Sequence, residues 1–294
     1  MFSEFKNAFD KPNNAHVQLI IINVVIFLVL GVVFVFTKIA EVEPIFEVIE
    51  NQFSIPPNLI EFFARPWTIL TYSFAHSLQA IFHIVFNMLA LYWFGKLFIE
   101  YLGSDKLVAL YVLGAIAGGV VYLLMFNTIP FFVNRSEFSG MVGASAAVYA
   151  VMVATATLLP DYTFFLLFFG PVRIKYIALF FIVGSFLGSV GPNAGGNLAH
   201  LGGALMGFVY IKQLQIGVNW GGWITATIQW VRGLFQPSAR VKVTYRKTDS
   251  KKSATGFNKA TQEEIDAILD KISERGYESL SKEEKEKLFN ASKK

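Results

Sequence analysis

Val17–Thr37 reads VQLIIINVVIFLVLGVVFVFT, without one charged side chain. A hydrocarbon core about 30 Å thick requires about 20 apolar residues of helix, and this stretch is long enough to cross it. It follows Lys6 and Lys11 and shows no small-residue cleavage site, so it is expected to be retained rather than removed as a signal peptide. Five further stretches qualify, some with little margin: Ile81–Phe98, Leu107–Phe126, Gly140–Leu159, Tyr176–Gly191 and Asn197–Leu214. The composition agrees, with 54% hydrophobic and 16% aromatic residues. The expected fold is an all-α membrane protein, a bundle of six transmembrane helices with a cytoplasmic C-terminal tail. With no cysteine in the chain, disulfides, thiolate metal sites and cysteine nucleophiles are excluded. No metal or cofactor is expected.

Lys and Arg near the spans set the orientation. Lys6 and Lys11, Lys96 and Lys106, Arg173 and Lys175, and the basic tail mark one side; the other carries Lys38, Arg65 and Arg135. Both termini are therefore expected in the cytoplasm. This bias, with no transit peptide recognised, suits a bacterial cytoplasmic membrane.

The chain divides into a cytoplasmic N-terminus (1–16), a six-span core (17–214), an interfacial helix (215–235), a basic linker (236–260) and a small helical hairpin (261–294). The first outer loop, rich in Phe62, Phe63, Trp67 and Tyr72, is expected to lie in the membrane interface. From Gln236 to Ala260, seven Lys or Arg face one acidic residue. Such a run is attracted to anionic lipid heads, which leaves no need for a nucleic acid. Two capping boxes, Thr261-x-x-Glu264 and Ser281-x-x-Glu284, with Gly276 between them, predict the hairpin, whose narrow apolar stripe suggests docking on a partner or on itself.

Ionisable groups inside a spanning helix are costly and point to function. His83 and Asn87 lie four apart on one face of the second span; Ser145 stands near the start of the fourth and His200 near the start of the sixth. These spans run in the same direction, so the four polar groups fall at one shallow depth below the outer surface, with Ser145 roughly 6–10 Å inside the apolar zone. Gly203-x-x-x-Gly207 in the sixth span, and Gly143 with its neighbouring alanines in the fourth, allow the two helices to approach closely. A histidine within reach of a serine hydroxyl serves as its base, and the Ser145 amide, Asn87 and His83 are donors of the type that stabilises an oxyanion. Tyr149, one turn after Ser145, is placed to pack on His200. No Asp or Glu lies at this depth, so a dyad is expected rather than a triad. His76 reads as a loop or interface residue, and Ser185 and Ser189 as packing residues without a basic partner.

His83-Ile-Val-Phe-Asn87, Gly143-Ala-Ser145-Ala and Ala199-His200-x-x-Gly203-x-x-x-Gly207 together resemble the rhomboid family of intramembrane serine proteases. The resemblance implies a six-helix fold, Ser145 as nucleophile, His200 as base, and His83, Asn87 and the Ser145 amide as the oxyanion site. It also implies transmembrane protein substrates cut near the outer face. Two positions depart from the family pattern: Ala146 stands where Gly usually follows the serine, and Trp67-Thr68 where a Trp-Arg pair is common. Two other readings compete with the protease. An inactive rhomboid-like binding protein would be expected to have lost Ser145 or His200. A transporter would need the polar path to continue past Tyr149 and His200, where the spans are almost wholly apolar.

Overall fold

A computed structural model describes residues 8–9, 11–134, 140–235 and 262–292. The basic linker 236–260, Thr261 of the first capping box, and Lys6 and Arg135 lie outside these residues. The chain falls into two compact units, 1–238 and 239–294.

The first unit is mainly helical. Its elements are α1 (Ala15–Ile39), α2 (Glu43–Glu50), α3 (Leu59–Ala64), α4 (Thr68–Thr71), α5 (Ile81–Leu102), α6 (Ser104–Thr128), α7 (Pro130–Val133), α8 (Ser145–Leu158), strands β1 (Thr163–Leu166) and β2 (Gly170–Arg173), α9 (Ile174–Gly188), α10 (Ala194–Gln215) and α11 (Gly222–Phe235). By length and composition α1, α5 and α6 can each cross a membrane, while α8 and α9 are apolar but shorter. In α10 the glycines, Asn197 and His200 dilute the apolar content. Most of α1 faces outward, exposing Leu28, Val29, Val32, Val35 and Phe36, as expected of a surface solvated by lipid.

Helix α8 is the most enclosed, packed by α10, α6 and α5. Its side chains from Ala146 to Ala156 are buried apart from Tyr149, and most are small, so the neighbouring backbones come close. The packing fixes direction too: Ala146 meets Gly203 and Ala150 meets Gly207, so α8 and α10 run parallel, while α6 runs against them, with Gly118 at Ala146 and Gly114 at Ala150.

Three expectations need correcting. The expected all-α fold contains an antiparallel β-hairpin, pairing Thr163 with Arg173 and Leu166 with Gly170. Its run Phe164–Phe169 is apolar throughout, and an unbroken apolar run does not distinguish strand from buried helix. The fourth helix starts at Ser145, not Gly140. The preceding segment is extended because its backbone groups find partners elsewhere: Met141 and Ile55 exchange N–H···O bonds of 2.9 and 3.0 Å, and Gly143 N–H bonds Tyr72 O at 3.0 Å. The first loop is more than an interfacial covering, since it folds against the bundle and holds this segment. Tyr72 Oη donates to Ala115 O at 2.7 Å, and Tyr111 Oη to Ser73 O at 2.7 Å. Thr68, in place of the family's arginine, is fully buried and donates to Arg65 O at 2.7 Å.

The second unit holds α12 (Gln262–Arg275) and α13 (Lys282–Ser292). Gly276, at φ +76°, ends α12. Ser281 and Glu284 close the capping box reciprocally, Ser281 N–H to Glu284 Oε2 at 2.7 Å and Glu284 N–H to Ser281 Oγ at 3.3 Å. Lys271 also bonds Glu284 at 2.8 Å, and these donors hold its carboxyl down to about 2.

Candidate active site

Ser145 is the first residue of α8, and Val148 N–H, bonded to Ala144 O at 3.0 Å, begins the helical ladder. The amides ahead of it have no intrahelical acceptor, so the Ser145 N–H stands at the positive end of the helix dipole. The chain enters the helix through Gly143, whose φ of +136° suits glycine, and a methyl there would lie 2.9 Å from His83 Cε1 and 3.6 Å from Ser145 Oγ. Gly143 was expected to ease helix packing; instead it turns the chain just before the serine. The bare Cα leaves space that His83 and Ser145 share.

Gly203 and Gly207 do lie at a helix crossing. A Cβ on Gly203 would overlap Ala146 O and lie 2.8 Å from Ala146 C; one on Gly207 would overlap Ala150 O. The Ala146 methyl points to α6, where a Cβ on Gly118 would lie 2.5 Å from it. The extra carbon carried here is therefore accommodated by a missing one at Gly118.

His200 lies on the α10 side of this crossing. Its ring stacks on Tyr149 with centroids 4.2 Å apart and planes 13° from parallel. His200 Nδ1 lies 3.0 Å from Ser185 Oγ, and Ser185 Oγ donates to Tyr149 Oη at 2.9 Å. Ser185 is 3% exposed and does have a basic partner, which corrects its reading as a packing residue. A polar side chain in an otherwise apolar span was the available signal; which way it faced required the structure. Ser189 caps its own helix end, donating to Phe186 O at 2.7 Å. His200 Nε2 is buried without a hydrogen bond, and Ser145 Oγ has no bonded partner among the described residues.

On the other side of Ser145, His83 is half-buried and Asn87 buried. Asn87 Nδ2 donates one hydrogen to His83 O at 2.9 Å, leaving the second for another acceptor. His76 is not an ordinary loop residue: it is 3% exposed, its ring sits 5.5 Å from that of His83, and neither ring nitrogen has a partner. Burial, reinforced by the neighbouring His83, pushes His76 down to about 3. Among the described residues no three His, Cys, Asp or Glu side chains gather as metal ligands. An open cavity of about 370 Å³ reaches His83, lined also by Tyr122, Met141, Val142, Asn193 and Gly196. Ser145 and His200 lie beyond its lining.

A helical bundle with apolar outward faces, carrying a serine at a helix start with histidines on adjacent helices, defines a membrane protein of the rhomboid class. The rhomboid domain model matches residues 64–215, and the chain belongs to the rhomboid family. Residues 257–294 match a family of unknown function, DUF6576. Among curated proteins, the chain is 35% identical over 162 residues to RHOMBOID-like protein 12, mitochondrial, of Arabidopsis thaliana, covering 52% of this chain and 48% of that one. Rhomboid protein 1, mitochondrial, of Saccharomyces cerevisiae is 31% identical, covering 49% and 40%. Presenilin-associated rhomboid-like protein, mitochondrial, of Mus musculus is 30% identical, covering 49% and 37%. The chain thus aligns with half or less of these relatives' lengths.

Proposed function

We propose that this protein is an intramembrane serine endopeptidase that cleaves transmembrane segments of other proteins near one face of the bilayer. Ser145 Oγ attacks the scissile carbonyl carbon while His200 Nε2 takes the hydroxyl proton. The imidazolium returns that proton to the leaving amine, and a water, deprotonated by the same nitrogen, then releases the acyl group from Ser145. The oxyanion is received by the Ser145 N–H, the free Asn87 amide hydrogen and His83, each such donor contributing up to 10²–10³ in rate. The observation that carries this reading is the freedom of His200 Nε2: it is buried and unbonded, on a ring fixed by Tyr149 and Ser185. Among the described residues no hydrogen bond joins His200 Nε2 to another group before substrate binds, and catalytic hydrogen bonds commonly tighten only in the substrate complex.

Six helices spanning the membrane complete the proposal. Helix α8, with 14 residues, is about 21 Å long. It is shorter than the hydrocarbon core, so its start would lie below the surface, and the non-helical 140–144 segment is tolerable there because protein groups bond Met141 and Gly143. The charge bias supports a topology with both termini in the cytoplasm and the site toward the outer face of a bacterial cytoplasmic membrane. The relatives' names place those proteins in mitochondria, and localisation of the tagged full chain decides the compartment. The tail unit is proposed to serve as a docking element.

The test is cleavage of a model transmembrane substrate by purified protein in detergent, comparing wild type with Ser145→Ala and His200→Ala. Wild type should cleave and both variants fail. Cleavage persisting in both would refute the dyad. A wild type inert toward several substrates would favour a binding protein.

A further inference from the structure

We propose that Ser185 is a positioning residue that fixes the tautomer of His200, completing the dyad with a neutral third member from α9. This rests on the protease reading. Proton bookkeeping carries it. Phe181 O can only accept, and Tyr149 Oη donates its single hydrogen to it at 3.4 Å. Tyr149 Oη then accepts from Ser185, whose own single hydrogen is used in that 2.9 Å bond. In this arrangement Ser185 Oγ meets His200 Nδ1, at 3.0 Å, as an acceptor. The proton of neutral His200 sits on Nδ1, and Nε2 presents the lone pair that takes the Ser145 proton. After that transfer the ring still donates from Nδ1 to Ser185, so the imidazolium keeps its orientation until it gives up the Nε2 proton. Ser185 is buried, and an unpaired Nδ1–H in its place would be costly. A hydroxyl here does neutrally what a carboxylate does in a charged triad, without placing a charge in the bilayer.

Two measurements test this. In full-length protein labelled with ¹⁵N-histidine, the His200 signals, assigned by their loss in His200→Gln, should show the Nδ1–H tautomer. In Ser185→Val the tautomer balance should shift, and kcat should fall about five- to tenfold, the equivalent of one neutral hydrogen bond, with KM unchanged. Ser185→Thr should restore both. The Nε2–H form predominating in wild type, or a Ser185→Val enzyme with wild-type kcat and tautomer, overturns the proposal even if the protein is a protease. An inert wild type with His200 in the Nδ1–H form refutes the protease reading alone.

A separate observation concerns the β-hairpin. At its tip Phe165, Leu167, Phe168 and Phe169 are 79–89% exposed, far more apolar surface than a loop in water retains. At its base Asp161 pairs with Arg173 at 3.2 Å and Lys175 at 2.8 Å, forming a charged polar collar with one net positive charge. The exposed apolar surface resumes directly on α9 at Tyr176, Leu179, Phe180 and Val183. We infer that the occupant of this tip is the lipid of the membrane in which the bundle sits, entered from the end opposite Ser145. Because the chain lacks cysteine, a nitroxide on Phe168→Cys of the full chain in phosphatidylcholine nanodiscs reports its surroundings cleanly. Oxygen should relax it strongly and a water-soluble nickel complex weakly, with Glu278→Cys as the aqueous control. Nickel access equal to the control, or shielding from both relaxants as in a protein contact, overturns the inference.

Discussion

Gly203→Ala tests the helix crossing on which the site depends. The added methyl would overlap Ala146 O and lie 2.8 Å from Ala146 C and 3.1 Å from Ala146 Cα. Ordinary carbon contacts are about 3.5–4.0 Å, so α10 must retreat from α8 by about 1 Å, and since the obstacle is backbone, no rotamer change relieves it. Overpacking of this kind costs about 1–3 kcal/mol, which lowers Tm by about 2–12 °C in a protein of this size. The same retreat carries His200 away from Ser145, and a displacement of about 1 Å costs on the order of 100-fold in rate. The assay is kcat on a transmembrane substrate in detergent, with thermal unfolding in parallel. Gly184→Ala on α9 is the control, because nothing lies within 4 Å of its added methyl; it should keep activity. A Gly203→Ala protein with wild-type kcat and Tm would refute the geometry of the crossing and the argument that places His200 by it.

Gly143→Ala combines strain at φ +136° with a 2.9 Å clash on His83 Cε1; if His83 serves as the proposed oxyanion donor, kcat should fall by about 10²-fold as it is displaced, measured in the same cleavage assay. Ala146→Gly should keep kcat within about twofold and destabilise by about 1 kcal/mol, read by thermal unfolding. Gly118→Ala should be strongly destabilising, because its methyl would lie 2.5 Å from Ala146 Cβ, and Ala146→Gly should rescue it in part, leaving the 2.9 Å contact with Ala199 O. His76, held near 3 when folded against an ordinary 6.5, stabilises fully above about pH 6.5 and loses stability as pH falls from there toward 3. At pH 5 this amounts to about 2 kcal/mol, so Tm should drop between pH 7.5 and 5, and His76→Asn should flatten that drop.

The chain alone determined that this is a membrane protein, because uncharged runs such as Val17–Thr37 have no other stable setting, and it singled out Ser145, His83, Asn87 and His200 as candidates for a site, because they are polar where polarity is costly. It also located the tail's second capping box, a local motif closed within four residues. Tertiary structure decided what depends on partners distant in sequence. Gly140–Val142 stays out of the helix because Ile55 and Tyr72 supply hydrogen bonds to Met141 and Gly143, so the helix begins at the serine and Gly143 becomes a turn rather than a packing residue. Ala146 fits because Gly118, on another helix, yields its space. Ser185 and His76 were legible only as a polar residue in a span and a loop histidine, since neither spacing nor composition tells which ring a side chain will face once the helices cross.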